Sequence, residues 1–444
     1  MLTRIEIDGF KSFEEFSLDL RPFMAVVGPN ASGKSNLFDA LRFLSLLAQH
    51  DIRTAMQDLR GEPEELFRRT ASGTSASMSF AVEVLLGRKG VDAFGKNYET
   101  PTQRLRYELQ LRMTKDSSGV PRGISVTSEK CSPIARKDDR AVFLRGVKLS
   151  RNFRVSPFIS TPPTGEAILV HQDGPQKHGN PRPISLKEAS RTALSTIATA
   201  EFPHLNALRQ TLAGIRFLEI NPQEARSAND RFADPVLRPD ASNLAAALAH
   251  LKATTTDKNR PDGVLADIAA DLASLIPSVR GIESRDDPGQ RQYSFGLQFD
   301  DGLVFSSRVI SDGTLRLLAL LTVLNDPARR GTLCFEEPEN GVHEGRVPQL
   351  VAFLRNAAAV SQDPDIPSFQ VLLATHSPKL MSVLKDEEIV AADSIVSIDS
   401  TIGTRFLKTR MRSFDPSSPD LFDANRSLSR TEVLRLLQTA TDAA

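Results

Sequence analysis

Cysteine is scarce. Cys131 and Cys334 are the only two in 444 residues, they lie far apart, and Cys334 sits inside an apolar run. That usage excludes a disulfide framework and fits a reducing compartment. An excess of one charge is missing as well: 55 basic residues balance 55 acidic ones. No global field therefore draws the chain to nucleic acid. The longest apolar stretch, near Leu317 to Leu324, is too short to cross a bilayer. The start, Met1-Leu2-Thr3-Arg4-Ile5-Glu6, alternates in polarity and does not read as a signal peptide. No internal repeat is visible. These absences leave a cytoplasmic protein without a membrane partner as the expectation, with length for two or three domains.

Against this background one stretch stands out, Gly28-Pro29-Asn30-Ala31-Ser32-Gly33-Lys34-Ser35. It fits the phosphate-loop pattern of Gly, four residues, Gly, Lys, then Ser or Thr. The apolar run Met24 to Val27 before it reads as a buried strand. Asn36 to Leu47 after it carries Leu37, Leu41, Leu44 and Leu47 at helical spacing. Glycines let the backbone turn N–H groups toward a phosphate, and a helix N-terminus adds positive potential. In this pattern Lys34 reaches the β- and γ-phosphates and Ser35 binds Mg²⁺.

Around the motif, Leu2 to Ile7 and Phe16 to Leu20 read as strands joined through Gly9-Phe10-Lys11-Ser12-Phe13, so a hairpin precedes the loop. Asp51 to Arg69 reads as polar helix or loop. Ser77 to Leu86 and Arg104 to Arg112 read as strands with a loop at Gly87 to Gly95 between them. Residues 112–191 change character, with 15 Lys and Arg against 7 Asp and Glu, a balance of 15 − 7 = +8, and frequent Pro and Gly. They read as a solvated insertion of loose loops or, alternatively, as a surface for nucleic acid or a partner protein. Ser185 to Leu212 looks helical with a break at Pro203. Ile215 to Ile220 reads as a strand, and Asp240 to Ala253 and Asp262 to Ile276 as helices. Val279 to Glu283, Gln292 to Phe299 and Leu303 to Arg308 read as strands, the last two joined by a hairpin turn at Asp300-Asp301-Gly302.

Three further pieces follow. Ser311-Asp312-Gly313-Thr314 opens a helix running to Leu324, and such a start is either an anion site or an ordinary N-cap. Gly331 to Pro338 is an apolar strand ending in Glu336 and Glu337. Buried acids need a positive counterpart, which Mg²⁺ and Lys34 supply. Glu336 then holds Mg²⁺ through water, and Glu337 orients or deprotonates the attacking water. Gln370 to Pro378 is a buried strand capped by Thr375-His376-Ser377, which places His376 for a hydrogen bond to a γ-phosphate.

In this order the motifs resemble those of the ABC-type ATPases of the SMC/RecF/OLD group, and more narrowly the small AAA-annotated ATPases of bacteria. The resemblance covers residues 1–50 and roughly 215–410, including the hairpin with Gly9 to Phe13 and the stretch Asp240-Ala241-Ser242-Asn243-Leu244-Ala245. It implies an α/β fold: a P-loop NTPase head of the ABC/SMC type with an N-terminal β-hairpin lobe and an inserted α+β subdomain. The expected division is 1–86 for the first half of the head, 87–214 for the insertion, 215–410 for the second half and 411–444 for a tail with a terminal helix. The resemblance implies ATP and Mg²⁺ as ligands, with Gly28, Pro29, Asn30, Ala31, Ser32, Gly33, Lys34, Ser35 and Asn36 around the nucleotide. It also implies a homodimer in which Ser311, Asp312 and Gly313 of one copy reach the γ-phosphate of the other, with Asn340 and Gly341 lining that interface.

Two positions depart from the family pattern. Glu336 stands where Asp is usual, and Asp312 where Gly is usual in the signature. Gln57, Gln110 and Gln223 remain equal candidates for the glutamine loop. No long heptad tract separates the halves, so an SMC arm is not expected. Only 444 − 376 = 68 residues follow His376, so an appended nuclease is not expected. The expected function is an ATP-hydrolysing dimeric switch acting on a separate effector, a nuclease or toxin, in anti-phage defence or DNA maintenance, with DNA as a further possible partner. A slowly hydrolysing scaffold is the alternative, and a transporter ATPase a more distant one.

Overall fold

The computed structural model describes residues 1–70, 73–118, 121–147, 149, 156–173, 180–360, 368–398, 405–413 and 430–441. The chain forms two compact units. One comprises Met1–Ile215, Val360–Gln370 and Asp386–Ala444; the other comprises Arg216–Ala359 and Val371–Lys385.

The first unit is built on an eight-stranded antiparallel sheet. Its order is Arg182–Ser185, Ala167–Val170, Ile159–Ser160, Pro121–Pro133, Arg104–Lys115, Ser77–Leu85, Leu2–Asp8 and Phe16–Asp19. Alternation decides the faces. Leu105, Tyr107, Leu109 and Leu111 are buried, while Arg106 and Glu108 between them point the other way. There Arg106 pairs with Glu6 at 2.6 Å and Glu108 at 2.7 Å, and Arg4 pairs with Asp19 at 2.7 Å. The Lys34–Leu47 helix packs through Phe43, which stacks on Phe10 at 6.0 Å and meets Phe80 edge-on at 5.8 Å. A second group of strands in this unit carries the phosphate loop. Phe23–Val27 runs parallel to Ile389–Ile398, which pairs antiparallel with Arg405–Ser413.

Three expectations change here. Residues 112–191 are not all loose loops: Pro121–Pro133 is a 13-residue strand paired along Arg104–Lys115. Its Pro and Gly fall at the strand ends and bulges, where a missing N–H or side chain is tolerated. The Pro- and Gly-rich residues 174–179 lie outside the described residues. The stretch 185–212 is not one broken helix. Only a short turn, Leu194–Thr196, precedes Pro203, and Pro203 starts the Pro203–Ala213 helix. At the first helical turn no intrahelical N–H bond is lost, so Pro initiates rather than interrupts. Within Gly87 to Gly95 a short strand, Lys89–Val91, pairs with Asn97–Glu99. The described part of the tail contains the Arg430–Thr441 helix. Residues 414–429 lie outside the described residues.

Among its described residues the second unit combines six α-helices with a hairpin sheet. Val279–Asp287, Gln292–Phe299 and Val304–Ser306 pair in sequence, and Gly302, with φ 78°, makes the turn before the last strand. The helix Leu244–Thr255 starts later than its Asp240 signal. Asp240 instead accepts from the Ser242 N–H at 2.9 Å, and Asn229 caps the helix by accepting from the Ala246 N–H at 3.0 Å. The Asp312–Asn325 helix is buried nearly all round, from Leu315 to Leu324. Its apolar run is thus core. Among the described residues no helix is long and apolar enough to cross a membrane.

One buried carboxylate organises the sheet-to-turn junction of the first unit. Glu129 accepts from the N–H groups of Ala193 at 2.6 Å and Leu194 at 2.9 Å and from the Tyr107 hydroxyl at 3.0 Å. Burial raises its pKa to about 7, against the lowering effect of those donors. The folded state therefore holds this proton more tightly than the unfolded chain, and stability declines as pH rises from the unfolded value to about 7. The decline should be on the order of 3 kcal/mol, level above that range. Urea unfolding across pH 4.5 to 8 is expected to show this slope and Glu129→Gln to abolish it. The amide also sets an NH₂ against a backbone donor, so the variant should lose about 1–3 kcal/mol.

Candidate functional site

The candidate residues fall into one cluster in each unit. In the first, the loop after Phe23–Val27 leaves the strand at Gly28 and enters the helix at Lys34. Positive φ at Ala31, 60°, and Gly33, 93°, makes the reversal. Neither glycine tolerates a side chain. A Cβ at Gly28 would lie 2.3 Å from the Ala392 carbonyl oxygen, and one at Gly33 would lie 2.0 Å from Thr409 Oγ1. Lys34 is buried, and its Nζ donates to the carbonyls of Gly28 and Pro29, each at 2.7 Å. The ammonium is thus folded across the loop, where it supplies positive charge with the helix N-terminus. Ser32 Oγ is buried and has no hydrogen-bond partner. A buried hydroxyl without a partner costs free energy unless something arrives to pair with it. The loop's shape, cation and open hydroxyl fit an anionic oxygen-rich group.

Asn36 Nδ2 donates to Ser12 Oγ at 2.7 Å, in the turn of the preceding hairpin. Lys11 in the same turn pairs with the buried Asp39 of the helix. The hairpin is therefore tied to the loop-bearing helix at two points.

In the second unit the strand Gly331–Glu336 lies beside Phe369–Thr375, and the Glu337 N–H donates to the Ala374 carbonyl at 2.8 Å. Glu337 has φ 50°, a left-handed conformation that a non-glycine residue rarely adopts. That backbone turn presents the carboxylate between two partners. His376 Nδ1 lies 2.9 Å from Glu337 Oε1, and Asn340 Nδ2 donates to Oε2 at 2.7 Å. The Glu337 and His376 side chains keep 37% and 46% of their surface exposed. The acid is thus oriented and still accessible. Strain at such a position is commonly held for function.

Glu339, two residues on, is the opposite case. It accepts from Thr375 Oγ1, and its second oxygen is buried without a partner. Burial raises its pKa above the ordinary value, the Thr375 hydrogen bond opposes this, and the charge on Glu337 adds to the rise. Thr375 also accepts from the Ser377 N–H at 2.9 Å, and Ser377 caps the Pro378–Val383 helix. Glu339 and Thr375 thus hold the turn that carries His376. Sequence reasoning passed over Glu339; the signal was an acid inside the Glu-Glu-Pro-Glu run.

The Ser311 turn is an N-cap. Ser311 Oγ accepts from the Thr314 N–H at 3.3 Å and lies 2.8 Å from Thr314 Oγ1. Asp312 does not cap; it is 69% exposed and pairs with Arg226, which also donates to the Ile310 carbonyl at 2.8 Å. Sequence reasoning did not foresee Arg226, which neutralises the unusual carboxylate. Gly313 packs on Gly341: a Cβ at Gly341 would lie 2.9 Å from the Gly313 Cα. This backbone contact joins the Ser311 turn to the loop after the Glu pair, within one unit. Gln57, Gln110 and Gln223 join neither cluster in the described contacts. Among the described residues no group of three His, Cys, Asp or Glu is placed to hold a metal.

A strand, glycine loop and helix with a buried lysine, together with a strand ending in paired acids beside one ending in Thr-His-Ser, define an ABC-type P-loop ATPase of the SMC and RecF kind. The chain belongs to the family described as "AAA domain, putative AbiEii toxin, Type IV TA system", which it matches over residues 23–382. It is similar to the chromosome partition protein Smc of Methanocaldococcus jannaschii, 54% identical over 44 residues, 10% of this chain and 4% of that protein. It is also similar to the DNA replication and repair protein RecF of Lactococcus lactis subsp. cremoris, 30% identical over 90 residues, 20% of this chain and 25% of that protein. The matches thus span a quarter or less of those relatives. Among solved structures, an Smc head bound to the C-winged helix domain of ScpA aligns over 93% of this chain and 98% of its own at 12% identity, with a TM-score of 0.49. An Smc head with an extended coiled coil bound to the C-terminal domain of ScpA, from Pyrococcus furiosus, aligns over 99% of both chains at 11% identity, with a TM-score of 0.48.

The Gly313–Gly341 contact is open to test. Gly341→Ala combines a φ of +85° with a side chain pressed on backbone. It should cost about 1–3 kcal/mol in urea unfolding. An unchanged midpoint would show that the two turns do not need to touch.

Proposed function

We propose that this chain binds and hydrolyses ATP as a homodimeric switch that gates a separate effector. The observation that carries the reading is Glu337, strained, half-exposed and held on both oxygens by His376 and Asn340. In the proposal the loop 28–36 takes the triphosphate, with backbone N–H groups and Lys34 on its oxygens. Ser35 would bind Mg²⁺ through its hydroxyl and Glu336 would hold it through water. When bound, the ion offsets the charge of the phosphates. Glu337 accepts the proton of the attacking water as its oxygen bonds to the γ-phosphorus and the bond to the leaving ADP oxygen breaks. His376 orients the carboxylate through its Nδ1. Ser311 and Gly313 of a second copy close over the nucleotide; Asp312, tied to Arg226, stays off it.

Hydrolysis would release the two copies, so occupancy of the loop would read out as association. The family description supports a setting in toxin-based defence, and the RecF relative supports DNA maintenance. The effector would then be a nuclease or toxin on another chain, and the protein cytoplasmic. One observation favours a slower scaffold: His376 and Asn340 already engage both oxygens of Glu337, so an attacking water has to share them.

Glu337→Gln should lower steady-state ATP turnover by about 10²–10⁴-fold while ATP-dependent dimerisation, read by light scattering, is retained. Turnover equal to wild type would remove Glu337 from the chemistry. Tight ATP-dependent association with single-turnover hydrolysis that is already slow in the wild type would select the scaffold.

A further inference from the structure

The phosphate loop is gripped by residues outside its own motif. Ser394 and Thr409 face each other across the antiparallel pair of Ile389–Ile398 and Arg405–Ser413. This rung places both side chains on the loop. Ser394 Oγ donates to the Ala31 carbonyl at 3.0 Å, and Thr409 packs against Gly33, at the position a Cβ would fill. Two residues earlier on the first strand, the Ala392 carbonyl lies against Gly28 in the same way. Thr409 is buried, and its Oγ1 lies 2.6 Å from Ser12 Oγ; its N–H donates to the Ser12 carbonyl at 3.1 Å. Ser12 Oγ in turn accepts from Asn36 in the first turn of the helix. A hydrogen-bonded chain therefore runs from Thr409, pressed on Gly33, through Ser12 to Asn36, and brackets Lys34 and Ser35 on both sides.

We infer that Thr409 and Ser12 are positioning residues for triphosphate binding. The inference rests on the reading of loop 28–36 as the triphosphate site. Gly33 holds a φ that glycine reaches easily but also leaves easily, because nothing on its own side chain restrains it. A loop free to leave that conformation spends only part of its time competent, and its apparent affinity falls by that fraction. The Thr409 methyl and hydroxyl, with Ser12, supply the restraint that Gly33 lacks. The bonds come from positions 12 and 409, so binding competence depends on the late strand being docked, not on the motif alone. Neither residue reaches the reacting atoms; both act through Gly33 and Asn36.

The test compares Thr409→Val, which keeps the shape and removes the hydroxyl, with Thr409→Ser, which keeps the hydroxyl. Affinity for a fluorescent ATP analogue, KM and kcat for ATP, and the melting temperature without nucleotide are measured on the full chain. Thr409→Val should weaken analogue binding and raise KM by about tenfold, with kcat within about twofold of wild type. Thr409→Ser should recover most of the affinity. If Thr409→Val does not fold, Ser12→Ala breaks the same link from the other side and should show the same rise in KM. Wild-type affinity in Thr409→Val, or equal loss in Thr409→Ser and Thr409→Val, overturns the inference and leaves the triphosphate reading standing. A folded wild-type chain with no affinity for the analogue overturns both.

Discussion

Backbone pressed directly on backbone is the constraint on which both clusters depend. At Gly28 and Gly33 the phosphate loop lies against a neighbouring strand pair so closely that no side chain fits. At Gly313 and Gly341 two turns of the second unit meet in the same way. In each case the glycine serves less as a flexible hinge than as a missing wall. The approach orients peptide N–H groups at a helix start, which is how a chain with no net charge can build a local anion site.

Charge is then distributed by environment. Glu337 and Glu339 are two residues apart on one turn, yet they differ in role. Glu337 is half-exposed and held by a histidine and an amide; Glu339 has one carboxylate oxygen buried, with its pKa raised, and serves the turn beneath. The Asp312–Arg226 pair is a further case: an exposed carboxylate at a helix start is offset by a cation from another segment.

Much of this was legible because the motifs are local. Spacing alone placed the strand, loop and helix at residues 23–47, the core helix after Ser311, and the two strands that end in acids and in His376. What was not legible involved partners distant in sequence. The basic stretch 112–191 read as loose because its composition is polar, but Pro121–Pro133 becomes a strand once Arg104–Lys115 satisfies its backbone. Pro203 read as a break because its effect depends on where the helix begins. Arg226 and Thr409 carry no motif of their own, and each matters only through what it touches.

The sequence by itself determined the class of chemistry, because the geometry of a phosphate loop follows from glycine, lysine and serine at fixed offsets within a few residues of chain. Tertiary structure alone decided which side chains hold those groups in place. Whether Asp312 is neutralised and what fills the space beside Gly33 are both set by residues tens to hundreds of positions away. Local spacing cannot encode such contacts, since they exist only after strands and helices have packed.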